Sequence, residues 1–205
     1  MVKGLDTFRN YFADYEEQYV LIGGAACDII FESNDATFRA TRDLDMVLIV
    51  EALTPEFGER FWKFIQNGRY RNKTTSVQKP QFYRFDKPED DTYPKMIELF
   101  CRNNFELRKM TGITPIHIDD SVSSLSAILL DDEYYKALLE GKVVRNGLSV
   151  LRPEYLILFK AKAYLDLKQM KEKGEAVDSS DIKKHKKDIL RITAELMLES
   201  VSELP

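Results

Sequence analysis

The chain has 205 residues, with 30 basic and 34 acidic side chains and a formal net charge of -4. Its 44% hydrophobic and 31% charged residues match a globular chain large enough to bury a core, which excludes a low-complexity or disordered polymer. Two cysteines are too few for a disulfide framework, two cysteines and two histidines lack zinc-ligand spacing, and no apolar run reaches the length of a bilayer span.

In chain order, Phe8, Tyr11, Phe12 and Tyr15 recur at helical spacing and predict a short amphipathic helix over 5–17, with the aromatic stripe in the core. An apolar strand over 19–22 leads to a helix over 25–33, a loop to 42 and a strand over 43–50. Pro55 opens a further helix to about Asn67, closed by Gly68. Short strands follow near 81–86 and 95–101, joined by the polar loop Asp86 to Asp91. From 111 to 151 short apolar runs alternate with turns. Residues 116–119 read as an additional strand, with His117 a structural polar residue. Asn146-Gly147, between Val143-Val144 and Leu148 to Val150, is a strong hairpin signal because both turn positions favour positive φ. Pro153 sits at a first helical turn, and a helix to about Lys171, a polar linker over 173–175 and a last helix from about Ser180 complete the chain.

Two segments carry the chemistry. Asp43 and Asp45 lie two apart on a strand, so both carboxylates face one way while Leu44 faces the core. Like charges held that close repel unless a cation lies between them, and hard divalent cations are commonly held by one or two carboxylates plus substrate phosphates. Gly23-Gly24 stands at the turn from strand to helix, where unpaired amides and the helix dipole favour an anion. Taken alone, the glycines also read as a tight turn and the Asp-x-Asp as a solvated strand start. Glu98 interrupts the apolar run Lys95 to Cys101. Beside the two aspartates it completes a three-acid cage for one or two metals; otherwise it is an edge residue or the partner of a nearby Arg. The conjunction points to metal-assisted chemistry on a nucleotide phosphate.

Gly-Gly, a helix, Asp-x-Asp on a strand and a later acid on another strand resemble the nucleotidyltransferase fold shared with DNA polymerase beta, and most closely its AbiEii-type branch. Leu158 to Leu165, with Lys160 before an Ala-rich turn, looks like that branch's lysine helix, and Asp178 to Asp188 looks like its closing helix. The resemblance spans about residues 19–192. It implies an α+β fold, a mixed twisted sheet over residues 1–151 with a helical part over 152–205 closing on a nucleotide. It also implies transfer of a nucleoside monophosphate from a nucleoside triphosphate to an acceptor hydroxyl, on a tRNA end, a protein or a small molecule. Asp43, Asp45 and Glu98 would hold magnesium or manganese, Gly23 and Gly24 would cradle the phosphates and Lys160 would balance their charge. A small antitoxin-like regulator and a cytoplasmic location belong to the same expectation, which agrees with an amino terminus lacking a signal-peptide pattern. Two departures stand out: Ala25 replaces the hydroxyl residue common after the glycines, and Glu98 replaces an aspartate. Both keep open a non-catalytic module that binds nucleotide or a partner.

Geometry refines the remaining candidates. Lys160 falls between Tyr164 and Leu167 in an apolar arc, so it snorkels or meets an anion; Lys162 falls on a polar side. His185, beside Ile182, Ile189 and Ile192, reads as a satisfied core histidine. Arg39 and Lys95 are candidate phosphate contacts, whereas Arg42 points away from the acids. Lys183 to Lys187 is the densest basic patch, either a solvated helix face or an RNA contact.

Overall fold

The structure, a computed structural model, describes residues 2–39, 41–71, 82–101, 116–117 and 132–196. Seven strands form one mixed sheet: β1 (Tyr19–Ile22), β2 (Asp43–Leu48), β3 (Phe82–Asp86), β4 (Met96–Cys101), β5 (Ile116–His117), β6 (Lys142–Arg145) and β7 (Leu148–Leu151). Their order is β5-β3-β4-β2-β1-β7-β6. β1 runs antiparallel to β2, β2 parallel to β4, and β1 parallel to β7. Among the described residues six α-helices accompany the sheet: α1 (Leu5–Phe12), α2 (Gly23–Glu32), α3 (Pro55–Asn67), α4 (Asp132–Gly141), α5 (Pro153–Glu172) and α6 (Ser179–Glu195). The chain is therefore α+β, with a mixed sheet and two C-terminal helices.

Local chemistry explains most element ends. Thr54 accepts a hydrogen bond from the Phe57 amide at 3.3 Å, and Pro55 occupies the first turn of α3, where its missing N–H costs nothing. Asn146 and Gly147 adopt φ of 50° and 71°, the two left-handed positions that let a two-residue turn follow the twist of β6 and β7. The aromatic helix is shorter than the periodicity predicts. It stops at Phe12, Asp14 takes a left-handed φ of 72°, and a 3-10 turn over Glu16–Gln18 leads into β1. Tyr15 thus leaves the helix and packs on Phe57 instead. The second helix starts at Gly23 rather than residue 25, so the two glycines are its first turn and not a separate loop.

The region expected to alternate apolar runs and turns contains a helix, α4, whose Tyr135, Ala137 and Leu138 are buried. Only Ile116 and His117 of the expected 116–119 strand are described, and they pair with β3. The His117 side chain lies outside what is described.

Phe8, Phe12, Phe57, Phe61 and Phe64 form one aromatic cluster between α1 and α3, with Phe8 and Phe12 centroids 4.5 Å apart and Tyr19 of β1 edge-on to Phe8. Each such ring buries a large apolar area, and the cluster is a major part of the core. The other structural half has a different composition: α2 packs on β1 and β2 and reaches α5, which lies along α6. Among the described residues, no helix is long and apolar enough to cross a membrane.

Candidate functional site

The pleat of β2 does what alternation requires. Leu44 is fully buried, while Asp43 and Asp45 are partly exposed on the opposite face. Two register relations then build the cleft. In the antiparallel pair Ile22 lies opposite Asp45, so the chain turns into Gly23 directly beside that carboxylate. In the parallel pair Asp45 lies opposite Glu98. A cleft of about 300 Å³ results, lined among others by Gly23, Gly24, Asp43, Asp45, Glu98 and Lys160. All six residues expected to act together thus border one space.

Gly23 is required there for two reasons. Its φ is +65°, and a Cβ on it would fall 1.8 Å from Asp45 Oδ2. Any side chain would displace the carboxylate. Gly24 is also confined, because a Cβ there would lie 2.7 Å from Thr41 Oγ1.

Asp45 and Glu98 share a hydrogen bond between carboxyl groups. Burial, the Glu98 charge and that bond together push the Asp45 carboxyl up to about 8, with Asp43 adding to the rise. Glu98 in turn accepts two bonds at one oxygen, from Arg84 Nε at 2.9 Å and from its second guanidinium nitrogen at 2.5 Å. Arg84 faces it from β3 in register. The expected alternative for Glu98, an ion pair with a nearby Arg, and its expected place beside the aspartates are therefore both present.

A cation fits this donor set in a particular way. Among the described residues no three or more His, Cys, Asp or Glu are gathered closely enough to enclose an ion. Asp43 and Asp45 nevertheless face the same open space, and burial together with the Glu98 and Asp43 charges raises the Asp45 carboxyl toward neutrality. Two carboxylates leaving coordination positions open is the arrangement in which magnesium takes its remaining ligands from water and substrate phosphate.

Lys160 is buried, 5% exposed, and its ammonium donates to Asp188 Oδ2 at 2.7 Å. The anion it meets inside the protein is a carboxylate that sequence reasoning left without a role. Arg39 binds the same carboxylate through two nitrogens, each at 2.9 Å. Burial opposes ionisation of Asp188, but the Arg39 and Lys160 hydrogen bonds and charges outweigh it and hold the carboxyl below its ordinary range. One negative and two positive charges leave the cluster net cationic at the edge of the cleft. Lys162, on the polar side as expected, pairs with Asp166 at 2.5 Å.

Three expectations need correction or completion. His185 lines the cleft, and its buried Nδ1 has no hydrogen-bond partner, so it is not a satisfied core histidine. Burial, helped by the Lys160 and Lys184 charges, lowers its pKa to about 4. Lys95 does not reach the cleft; it pairs with Asp91 at 2.6 Å and borders a separate depression with Arg42 and Arg71. Arg42 is exposed and points away from the acids, as alternation predicts. Arg39, by contrast, does line the cleft.

Asp188 and Arg84 are the functional residues that sequence reasoning missed. Asp188 is the lone acid in a basic stretch, one turn before the buried Ile192, and that phase is its only signal. Arg84 interrupts the aromatic run Phe82 to Phe85, as Glu98 interrupts its own strand.

No protein-family model matches the chain, and no curated protein matches it. A solved structure described as an antigenic nucleotidyltransferase-like protein from Paracoccidioides brasiliensis is similar, with 15% identity and a TM-score of 0.45. The similarity covers 98% of this chain and 79% of that one. At that identity and score it establishes neither family nor activity.

Proposed function

We propose that this chain is a metal-dependent nucleotidyltransferase of the AbiEii type, moving a nucleoside monophosphate from a nucleoside triphosphate to an acceptor hydroxyl. The observation that carries the reading is the apposition of the Gly23-Gly24 helix start and the Asp43/Asp45 pair, fixed by the Ile22–Asp45 register. It puts amides that favour phosphate against carboxylates that favour a divalent cation. Arg39, from the stretch between α2 and β2, and Lys160 and Lys184, from the two C-terminal helices, border the same cleft.

Asp43 and Asp45 would hold magnesium or manganese, which when bound neutralises charge on the transferring phosphoryl group. The backbone amides of Gly23 and Gly24 orient the phosphates, since Ala25 offers no hydroxyl. Arg39 is the better placed cation for the outer phosphates: Asp188 occupies two of its nitrogens, and its side chain remains 31% exposed. Lys160 acts behind it by sharing Asp188, adding positive charge without reaching far into the cleft. In the transfer itself the acceptor oxygen bonds to the α-phosphorus and the bond to the bridging oxygen breaks. The leaving pyrophosphate takes the electron pair, and the acceptor proton passes to a carboxylate of the Asp45–Glu98 pair. Catalysis by such parts is positioning and charge stabilisation. The acceptor classes remain a tRNA end, a protein hydroxyl or a small molecule, with a small regulator and a cytoplasmic setting as parts of the same proposal.

One observation favours a second reading. Glu98 is engaged by Arg84 and Asp45, as a structural acid would be in a module that binds nucleotide without turning it over. Incubation with each α-labelled triphosphate, magnesium, and cell RNA and protein separates the two. Transfer of label that is abolished by Asp43→Asn supports the enzyme; nucleotide binding without transfer to any acceptor supports the module.

A further inference from the structure

Surface lysines on the helices of this chain usually stand one turn from an acid: Lys136 near Glu140, Lys162 near Asp166 and Lys168 near Glu172. In the row Lys183, Lys184 and Lys187 on α6 only Lys184 has acids at that spacing, Asp181 and Asp188. All three are exposed, and among the described residues none has an ion-pair partner. Their spacings are three and four residues, at which like charges on a helix destabilise it. Lys183 and Lys187 stand one turn apart, as do Lys184 and Lys187. Two acids of α6 lie near them: Asp188 is already outnumbered by Arg39 and Lys160, and Asp181, three residues before Lys184, is exposed and forms no ion pair among the described residues. An uncompensated basic row of this kind is relieved by an external anion.

The row also has a shape. With Arg39, Ser180 and Asp188 the three lysines border a hollow of about 290 Å³. Arg39 and Lys184 also line the cleft that holds the acids, so the two spaces meet at these two residues. A phosphate chain whose first phosphate lies at Gly23 and Asp45 therefore leads past Arg39 into the lysine row.

We infer that the hollow bordered by Arg39, Ser180, Lys183, Lys184 and Lys187 is the subsite for the β- and γ-phosphates of the donor and for the pyrophosphate they become. The inference rests on the nucleotidyl-transfer reading and extends it to residues that reading does not need. Lys183 and Lys187 recognise charge, not base, so the subsite serves every nucleoside triphosphate alike. It also holds inorganic pyrophosphate by itself.

The test is calorimetric titration of the full chain, in magnesium, with inorganic pyrophosphate, with ATP and with AMP. Lys183→Ala, Lys187→Ala, the double variant and Lys186→Ala, a lysine of the same helix outside the hollow, are compared with the unaltered chain. An exposed charge pair is worth about 1 kcal/mol, so each hollow variant should weaken pyrophosphate and ATP binding about fivefold, and the double variant about 25-fold. AMP binding should not move, nor should any affinity in Lys186→Ala, and added salt should shrink the differences. If pyrophosphate binds the unaltered chain and the hollow variants equally well, the subsite is wrong while the transfer reading stands. If the variants instead lose only a single-stranded oligonucleotide, the row belongs to the acceptor and the subsite is overturned. If neither pyrophosphate nor any triphosphate binds the unaltered chain, both readings fall.

Discussion

Replacing Asp45 with Asn should make the protein more stable at neutral pH when no divalent cation is present. The reason is the proton that Asp45 must take up on folding. Its ordinary carboxyl pKa of 3.8 rises to about 8 beside Glu98. The unfolded chain is therefore ionised at this position through a range where the folded chain is not. A raised carboxyl pKa contributes stability only below the unfolded value, and that contribution is lost as pH climbs toward the folded value. At pH 7 the gap spans about three units, and at about 1.4 kcal/mol per unit the ceiling is about 4 kcal/mol. Asp45 borders an open cleft, where water screens part of this, and about 2 kcal/mol is the expected relief. For a domain of this size that corresponds to a melting temperature about 4–8 °C higher. Asn keeps the shape and offers Glu98 an N–H, so the hydrogen bond survives the loss of charge. Calorimetric melting in chelator, from about pH 4 to about pH 8, should show no gain at the acid end and a gain that grows upward. Magnesium should stabilise the unaltered chain more than the variant, because only the former gains a cation between its carboxylates. A gain of the same size at both ends of the range, or a loss at neutral pH, would refute the reasoning.

Two further outcomes follow from the cationic side of the cleft. Asp188→Asn leaves the buried Lys160 and the half-buried Arg39 against a neutral amide and should cost about 3–5 kcal/mol in chemical denaturation; adding Lys160→Met should recover part of the loss, and a purely additive double variant would contradict the shared-carboxylate arrangement. His185 stays neutral in the folded chain down to about 4, whereas the unfolded side chain protonates near 6.5, so stability should fall as pH drops through that window. His185→Gln should flatten this slope by about 1–2 kcal/mol between about pH 6.5 and pH 4, and an unchanged slope would show that His185 is not held neutral by its surroundings.

Much of the cleft was legible because its parts are coded over short distances. Alternation over Asp43, Leu44 and Asp45 sets three side chains by itself, and Gly23-Gly24 is adjacent to the strand it ends. Asn146-Gly147 and Thr54-Pro55 are equally local, which is why the hairpin and the start of α3 were readable. Helix α4 was not, because Tyr134, Tyr135 and the short stretch around them are as apolar over a few residues as a strand would be. Position along the chain also hid the ionic partners. Asp188 lies 149 residues from Arg39 and 28 from Lys160, and nothing local in either neighbourhood indicates the other. His185 shows the limit of phase reasoning. Its helical position correctly put it inward, but inward at α6 means the wall of a polar cleft, which a periodicity cannot distinguish from a core.

The cations around the acids divide by what holds them. Arg84 comes from β3 and spends two donors on Glu98, so it fixes a carboxylate that would otherwise repel Asp45 more strongly. Arg39 comes from the stretch between α2 and β2, and Asp188 grips it in a two-point geometry where it lines the cleft. Because Asp188 belongs to α6 and also binds Lys160 of α5, the orientation of Arg39 depends on both C-terminal helices being in place. A guanidinium oriented before a phosphate arrives loses less freedom on binding than a free side chain would. On the proposed reading, this is the work of the C-terminal helices: they need not touch the reacting phosphorus to matter, since through one buried carboxylate they aim the cation assigned to the outer phosphates.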